Sequence, residues 1–223
     1  MSLGHSPRIV TNGLVLLLDP SNPRSYPGTG TTWFDLSGYS NHATLSGSPV
    51  FLTNQIVFDG VDDQATILSN QTSLNFSNEQ TVIIWMYHTY TSGRKNPWNQ
   101  AYGGYGTWTH EDGLNINYFY GTAGTDNTPY TALTSGSTPT GQWQCMAVTR
   151  NATTVIWYRN GTVMTSQANP YGLTGITASN IIIGNGYAGR WVGNMGTISA
   201  YTRALTETEI RQNFNSLRGR YGI

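Results

Sequence analysis

The sequence is poor in charge and in cysteine. Charged residues make up 10% of the 223 positions, and 11 basic and 11 acidic side chains give a net charge of zero. In soluble domains about a quarter of the residues are usually charged. A nucleic-acid-binding protein presents a basic face, so we expect no nucleic-acid partner for this neutral chain. The single cysteine, Cys145, has no partner for an internal disulfide. Its place in the apolar stretch WQCMAV predicts a buried thiol.

Long hydrophobic runs are also missing. No stretch approaches the roughly 20 apolar residues of a membrane helix, and the first residues, MSLGHSPRIVTNG, lack the apolar segment of a signal peptide. We therefore expect a protein that is made in a cytoplasm and does not insert into a membrane.

Glycine, asparagine, threonine and aromatic residues are plentiful instead, with 26 glycines and 12% aromatics. Short alternating runs rich in Val, Ile, Thr, Tyr and Trp lie between Gly/Asn/Ser/Pro clusters, a pattern typical of an antiparallel β-sandwich. The pair Asn160–Gly161 predicts a tight hairpin. The predicted strands are Leu14–Asp19, Gln55–Asp59, Gln64–Leu68, Thr81–His88, Leu114–Tyr120, Trp143–Arg150, Thr154–Arg159, Thr162–Ser166, Asn180–Gly184 and Gly193–Tyr201.

The C-terminus changes to a helical pattern. Thr206 and Glu209 have the spacing of a capping box, in which each side chain binds the other residue's free backbone N–H. Ile210, Phe214 and Leu217 then form one apolar stripe of a short helix. No linker or repeat divides the chain, so we expect one domain over residues 13–223, preceded by an N-terminal arm over residues 1–12.

The stretch FDGVDD places Asp59, Asp62 and Asp63 within five positions. Carboxylates suit calcium, which takes six to eight oxygen ligands, but Asp and Gly are also the residues of tight turns. The spacing does not fit an EF-hand loop. A hydrogen-bonded turn between two strands is the favoured reading, and a calcium site is the alternative.

Five stretches, in order, resemble laminin-G-like domains of the concanavalin A-like lectin/glucanase superfamily. They are GLVLLLDPSNPRSYPGTGTTWFDLSGYSNHATL, IVFDGVDDQATI, TVIIWMYH, GQWQCMAVTRNATTVIWYRNGTVM and GNMGTISAYTRALTETEIRQNF. The resemblance implies an all-β, two-sheet antiparallel jelly roll with one short C-terminal helix. It is nearest to the version found in bacteriophage structural proteins. Many relatives carry an Asp-Glu pair where Gly196 and Thr197 stand here, which argues against a metal.

Enzymatic activity is not expected. Glucanases of the superfamily need two carboxylates on opposite sides of a glycosidic bond, and the four glutamates, Glu79, Glu111, Glu207 and Glu209, offer no such pair. No histidine spacing or phosphate loop indicates a metal or nucleotide. We therefore predict no catalytic residue and no cofactor.

Two aromatic segments are the candidate binding loops. One runs from Arg94 to Gly113, and the other is GYAGRW, residues 186–191. Aromatic faces and amides suit the binding of sugar rings. Trp, Tyr and Arg are also the residues of protein-binding hot spots. The third interpretation is that these aromatic side chains pack over the sheet and brace a long loop. The candidate ligand-binding residues are Trp98, Tyr102, Tyr105, Trp108, Tyr187, Arg190 and Trp191.

These observations favour a non-enzymatic bacteriophage virion protein, either a capsid decoration or a tail or fibre module. Its expected partners are other virion proteins and, in one reading, a host-surface polysaccharide; a homo-oligomer is left open. The alternatives are a free, lectin-like carbohydrate-binding module and, more weakly, a degenerate glycoside hydrolase. The fold does not decide between them, because jelly rolls host both lectins and capsid parts.

Overall fold

The computed structural model describes residues 8–69, 71–76, 79–100, 105–121, 130–172 and 179–223. Within these ranges the strands form two eight-stranded antiparallel sheets, followed by one α-helix. The predicted all-β sandwich with a short C-terminal helix is confirmed. No helix in the described ranges is long and apolar enough to cross a membrane.

The strands are numbered in chain order. They are β1 (Leu14–Leu18), β2 (Thr32–Trp33), β3 (Ala43–Ser46), β4 (Val50–Leu52), β5 (Gln55–Asp59), β6 (Gln64–Ile67), β7 (Gln80–His88), β8 (Arg94–Gln100), β9 (Tyr105–Glu111), β10 (Asn115–Gly121), β11 (Tyr130–Ser137), β12 (Gln144–Arg150), β13 (Thr154–Arg159), β14 (Thr162–Ala168), β15 (Ile181–Ile183) and β16 (Val192–Tyr201). The helix α1 spans Glu207–Leu217, and single 3₁₀ turns lie at Thr72–Leu74 and Arg218–Arg220.

Each sheet mixes strands from distant parts of the chain. Sheet I has the order β14-β13-β12-β7-β16-β5-β4, with β1 also paired to β16. Sheet II has the order β11-β10-β9-β8-β15-β6-β3-β2. Neighbours such as β16 and β7, or β15 and β8, are joined only by long crossovers. Each sheet is therefore complete only when a strand from the C-terminal part of the chain, β16 or β15, has been added.

The middle of sheet I is buried on both faces. All seven residues of β12 are buried, and so are eight of the nine in β7. One face of these strands contributes to the core between the sheets, and the other, which includes Trp85 and Cys145, packs with Phe214 of α1 and with Tyr221. The buried thiol predicted for Cys145 is confirmed, and burial raises its pKa.

The predicted strands all occur, with ends that differ by at most two residues. The hairpin at Asn160–Gly161 is also present, because both residues have the positive φ that such a turn requires, 51° and 78°. Six strands were not predicted: β2, β3, β4, β8, β9 and β11. The segment from Arg94 to Gly113, expected to be a long loop, therefore contains the paired strands β8 and β9.

The capping box at the start of α1 is confirmed. Thr206 Oγ1 accepts the backbone N–H of Glu209 at 3.3 Å, and the Glu209 carboxylate accepts that of Thr206 at 2.9 Å. Arg203 also binds this carboxylate with two nitrogens, and its hydrogen bonds lower the pKa of Glu209 to about 2.

Replacing Thr206 with alanine is expected to lower the free energy of unfolding by about 1 kcal/mol, because the Glu209 N–H loses its acceptor, the Thr206 hydroxyl. Thr208 lies exposed in the same helical turn, so Thr208→Ala is the matched control and should cost nothing. Urea denaturation of both variants measures the difference. Equal stability of the two would show that the cap contributes nothing.

The described part of the N-terminal arm packs on the domain. Val10 is buried; its N–H donates to Asn213 of α1 at 2.7 Å, and its carbonyl accepts the Tyr201 hydroxyl at 3.0 Å. Gln212 binds the Arg8 carbonyl at 2.7 Å. Arg8 and Val10 of the arm therefore contact the domain, while the division at residue 13 stays a prediction.

Candidate functional site

Three of the predicted binding residues lie in the core instead of on the surface. The exposed fractions of the Trp98, Trp108 and Trp191 side chains are 1%, 0% and 0%. Trp98 and Trp108 are in register on β8 and β9, and the Trp108 ring lies 4.7 Å from that of Trp157 on sheet I. Strand alternation turns both indoles inward, so none of the three offers a face to an external ligand.

The other predicted residues are placed differently. Tyr102 lies outside the described residues, and Tyr105 begins β9 in register with Tyr120. Tyr187 and Arg190 lie on the connection between β15 and β16, where Tyr187 is 47% exposed and Arg190 is half-buried. Ligand binding by these residues stays a prediction.

Tyr187 belongs to a polar surface that crosses the β8–β9–β10 strands. Arg94 Nε binds the two carboxylate oxygens of Glu111 at 2.9 and 3.1 Å, and Arg94 Nη2 binds the Tyr187 hydroxyl at 3.0 Å. Asn117 donates to the same Glu111 carboxylate at 3.2 Å. We call these four residues, Arg94, Glu111, Asn117 and Tyr187, the Tyr187 surface.

Charge and an aromatic ring are combined at this surface. The Arg94 guanidinium lies 5.4 Å from the centroid of the Tyr187 ring, within cation–π range. Its hydrogen bond to Glu111 raises the pKa of Arg94, so the guanidinium stays charged. The surface thus offers a ring face, amide and hydroxyl groups, and one paired charge, which are the elements of a binding site.

A buried asparagine fixes the Tyr187 connection onto β8. Asn96 accepts the Ala188 N–H at 2.7 Å and donates to the Trp108 carbonyl at 2.7 Å, while its own N–H binds the Gly189 carbonyl at 2.9 Å. A Cβ on Gly186 would lie 2.6 Å from the Asn96 side-chain oxygen, so only glycine fits there. The Tyr187 surface is therefore preorganised, which reduces the entropy lost on binding.

A buried histidine cluster lies next to this surface and bridges the two sheets. His110 of β9 binds the Tyr90 hydroxyl at 2.5 Å and the Thr138 hydroxyl at 2.7 Å, and its ring lies 4.3 Å from that of His88 on β7. Both histidines are fully buried. Burial, with His88 close by, lowers the pKa of His110 to about 3, and burial also lowers that of His88, although the backbone of Tyr90 and Thr138 partly offsets this.

Sequence reasoning missed this cluster. His88 and His110 show no metal-ligand or catalytic spacing, and the two residues meet only because β7 and β9 lie in opposite sheets. The one available signal was the predicted strand Thr81–His88, which ends on a histidine in an otherwise apolar run.

The FDGVDD stretch is a turn between β5 and β6, as the favoured reading predicts. Asp63, 3% exposed, accepts the Asp59 N–H at 2.9 Å, and Asp59 accepts the Val61 N–H at 2.7 Å. Gly60 has φ 80°, and a Cβ there would meet Val192 at 2.3 Å. Burial raises the pKa of Asp63, and the neighbouring carboxylates add to this.

The three carboxylates of this turn lie within 4.8 Å of one another. The resemblance implies an Asp-Glu pair of calcium-binding relatives at two positions that hold Gly196 and Thr197 here, and neither residue is a carboxylate. Gly196 is packed against the Tyr221 hydroxyl, and Thr197 binds that hydroxyl through its N–H at 2.7 Å. The residues present therefore do not fit the calcium set of those relatives.

Several other carboxylates of the described residues are committed to ion pairs. Glu111 binds Arg94, Glu207 binds Arg211 at 2.6 Å, Glu209 binds Arg203 at 2.5 Å and Asp19 binds Arg220 at 2.8 Å. A glycosidase needs its acid and its nucleophile or base free on both sides of a substrate. These four carboxylates are held in ion pairs and are therefore not free to act as the acid, nucleophile or base of a glycosidase.

A family model for the concanavalin A-like lectin/glucanases superfamily, of the laminin G type, matches residues 59–211. No curated protein matches. Among solved structures, the chain is similar to the receptor-binding domain of a botulinum neurotoxin C/D mosaic serotype, with a TM-score of 0.71 and 16% identity over 92% of this chain and 51% of that one.

Two further structures show the same fold. One is a botulinum neurotoxin DC binding domain in complex with SialylT, with a TM-score of 0.67 and 12% identity over 93% of this chain and 52% of that one. The other is a Trypanosoma rangeli sialidase in complex with 2,3-difluorosialic acid, with a TM-score of 0.64 and 18% identity over 92% and 33%. The chain thus spans about half of the neurotoxin domains and a third of the sialidase.

At these identities the solved structures establish the fold alone. The family match covers more than half of the chain, and the two-sheet topology agrees with it. The chain therefore belongs to the laminin-G-like domains of the concanavalin A-like lectin/glucanase superfamily.

Proposed function

We propose that this domain is a non-catalytic recognition module of a bacteriophage virion, which docks on other virion proteins and binds a host-surface polysaccharide. The preorganised Tyr187 surface is the observation that carries the proposal. It combines an exposed aromatic ring with a guanidinium, a carboxylate and an amide. Such a set binds the apolar face of a sugar and its hydroxyl groups together.

The distribution of acids supports a binding role over a catalytic one. Four carboxylates are held in ion pairs, and Asp63 is locked into the β5–β6 turn by the Asp59 N–H. The fold is also that of solved receptor-binding domains, including one in complex with rat synaptotagmin II. Recognition without catalysis is the function that fits both observations.

The virion location rests on the sequence. The opening SYPGTGTTWFDLSG and the ending YTRALTETEIRQNFNSLRGRYGI resemble phage structural proteins, and the zero net charge suits packing against other protein surfaces. Antibodies against the domain should label purified phage particles. Failure to label them would leave the alternative, a free lectin-like module, which the superfamily fold also supports.

Tyr187→Ala and Arg94→Ala are expected to weaken binding to polysaccharide from the host envelope by about tenfold or more, because a central aromatic or arginine contact is typically worth over 1 kcal/mol. Tyr39, 55% exposed on a different loop, provides the matched control Tyr39→Ala. Isothermal titration with the three variants measures the effect. Equal affinities for all three would remove the Tyr187 surface from the binding site.

A further inference from the structure

A concave site lies towards the β2 edge of sheet II, away from the Tyr187 surface. A cleft of about 550 Å³ opens beside strands β2 and β3, whereas the Tyr187 surface lies on β8 and β9. Strands β15 and β6 separate the two regions. The volume falls within the range of roughly 300–1,000 Å³ of small-molecule sites.

The lining of the cleft is uncharged. Thr31, Ser46 and Ser48 supply three hydroxyl groups, while Leu45 and Pro49 supply apolar surface. Tyr26 completes the lining; burial raises the pKa of its phenol, which therefore stays neutral. A charged ligand would meet no countercharge from these side chains, whereas a neutral ligand with hydroxyl groups and an apolar face would match them.

The walls of the cleft are held in place by a side-chain hydrogen bond, a ring contact and a close approach of the backbone. The Tyr26 hydroxyl donates to the Gly30 carbonyl at 2.9 Å, and its ring packs edge-on against Phe51 at 5.2 Å. Gly47 has φ 91°, and a Cβ there would lie 2.5 Å from the Asp62 carbonyl, so the wall contacts the β5–β6 turn directly.

Ser48 adds a second sign of a built site. Its φ is 88°, a region that non-glycine residues rarely adopt. Such strain persists where the surrounding structure imposes it, and it concentrates at ligand sites. The left-handed pair Gly47–Ser48 shapes the rim of the cleft and presents the Ser48 side chain there.

We propose that this cleft is a binding site for one neutral hexopyranose unit, separate from the Tyr187 surface. The hydroxyls of Thr31, Ser46 and Ser48 would exchange hydrogen bonds with the sugar hydroxyls, and the apolar groups of Tyr26 and Pro49 would contact its C–H face. Binding here requires neither the Tyr187 surface nor a virion location, so the site goes beyond the proposed function.

Amide chemical-shift mapping of the full chain tests this site. The ¹⁵N-labelled protein is titrated with methyl α-glucopyranoside, methyl α-galactopyranoside and methyl α-mannopyranoside, with methyl α-glucuronide as the charged probe. At least one neutral hexoside should shift the amide signals of Gly30, Thr31, Gly47 and Ser48 at millimolar concentration, and the glucuronide should not. Absence of such shifts with all three hexosides would overturn the proposal.

Ser46→Tyr places a bulky ring in the lining of the cleft, and Thr44→Tyr is the matched control. Both residues are exposed on the same face of β3, but only Ser46 lines the cleft. Ser46→Tyr should raise the dissociation constant for the hexoside about tenfold. Thr44→Tyr and Tyr187→Ala should leave that constant unchanged. Unchanged binding by Ser46→Tyr, or an equal loss in Thr44→Tyr, would refute the site.

Ser46→Ala tests the same site if the larger variant, Ser46→Tyr, does not fold. It removes one lining hydroxyl without adding volume, and it should also reduce hexoside affinity relative to Thr44→Ala. Since Tyr187→Ala is expected to keep hexoside binding while losing polysaccharide binding, failure of the cleft and failure of the proposed function give different results.

Discussion

Trp108→Ala is expected to lower the free energy of unfolding by about 3–5 kcal/mol, because the substitution leaves a large cavity in the core. The Trp108 side chain is completely buried on β9, and its ring contacts that of Trp157 on the opposite sheet at 4.7 Å. Loss of the indole therefore removes a contact between the two sheets. Urea denaturation followed by circular dichroism measures the change.

The control for Trp108→Ala is a substitution of an exposed aromatic residue on the same side of the molecule. Tyr187→Ala should change the free energy of unfolding by no more than about 0.5 kcal/mol, since surface substitutions are usually that small. The two variants separate packing from recognition. A Trp108→Ala protein as stable as the wild type that has lost ligand binding would place the indole on the surface and contradict the structure.

Acidification is expected to destabilise the protein well above the pKa of ordinary carboxyl groups. An unfolded histidine has a pKa of about 6.5, whereas burial lowers the pKa of folded His110 to about 3 and also lowers that of His88. Between these values the unfolded state binds more protons, so stability is complete above pH 6.5 and is lost as the pH falls towards 3. His110 alone should contribute a loss of about 2–3 kcal/mol between pH 7.5 and pH 4.5.

His110→Gln tests the source of this loss. An amide at this position retains a donor and an acceptor for Tyr90 and Thr138, but it does not titrate. The stability difference between pH 7.5 and pH 4.5 should shrink in this variant and remain full in His42→Gln, a substitution of an exposed histidine. Glu209, with a pKa of about 2, stays ionised in this range. An unchanged pH dependence in His110→Gln would show that His110 is not the acid-sensitive residue.

The sequence predicted the fold well because strand alternation is local. All ten expected strands occur, and the apolar stripe of α1 buries Ile210 and Phe214 as its spacing requires. The missed strands were of two kinds. β2, β3 and β4 have only two to four residues, too few to show a period. β8, β9 and β11 contain Pro97, Gly106 and Gly136, residues that are typical of loops.

The candidate site was only partly predictable, for the same reason. Without a strand assignment, Trp98 and Trp108 had no alternation to show that they face inward, and their aromatic character was read as a surface property. Tyr187 was among the predicted binding residues, but its contact with Arg94 was not predicted. Arg94 and Glu111 are 17 residues apart, and they meet only because β8 and β9 form a hairpin. Contacts set by strand register cannot be obtained from composition.

The most direct test of the proposed function is binding of the purified domain to host-envelope polysaccharide and, in parallel, to phage particles stripped of the domain. We predict saturable binding to both, with polysaccharide binding reduced in Tyr187→Ala and particle binding unaffected by it. Binding to particles alone would contradict host recognition and make the domain an architectural part of the virion. Binding to polysaccharide alone would contradict the virion location and favour a free lectin-like module.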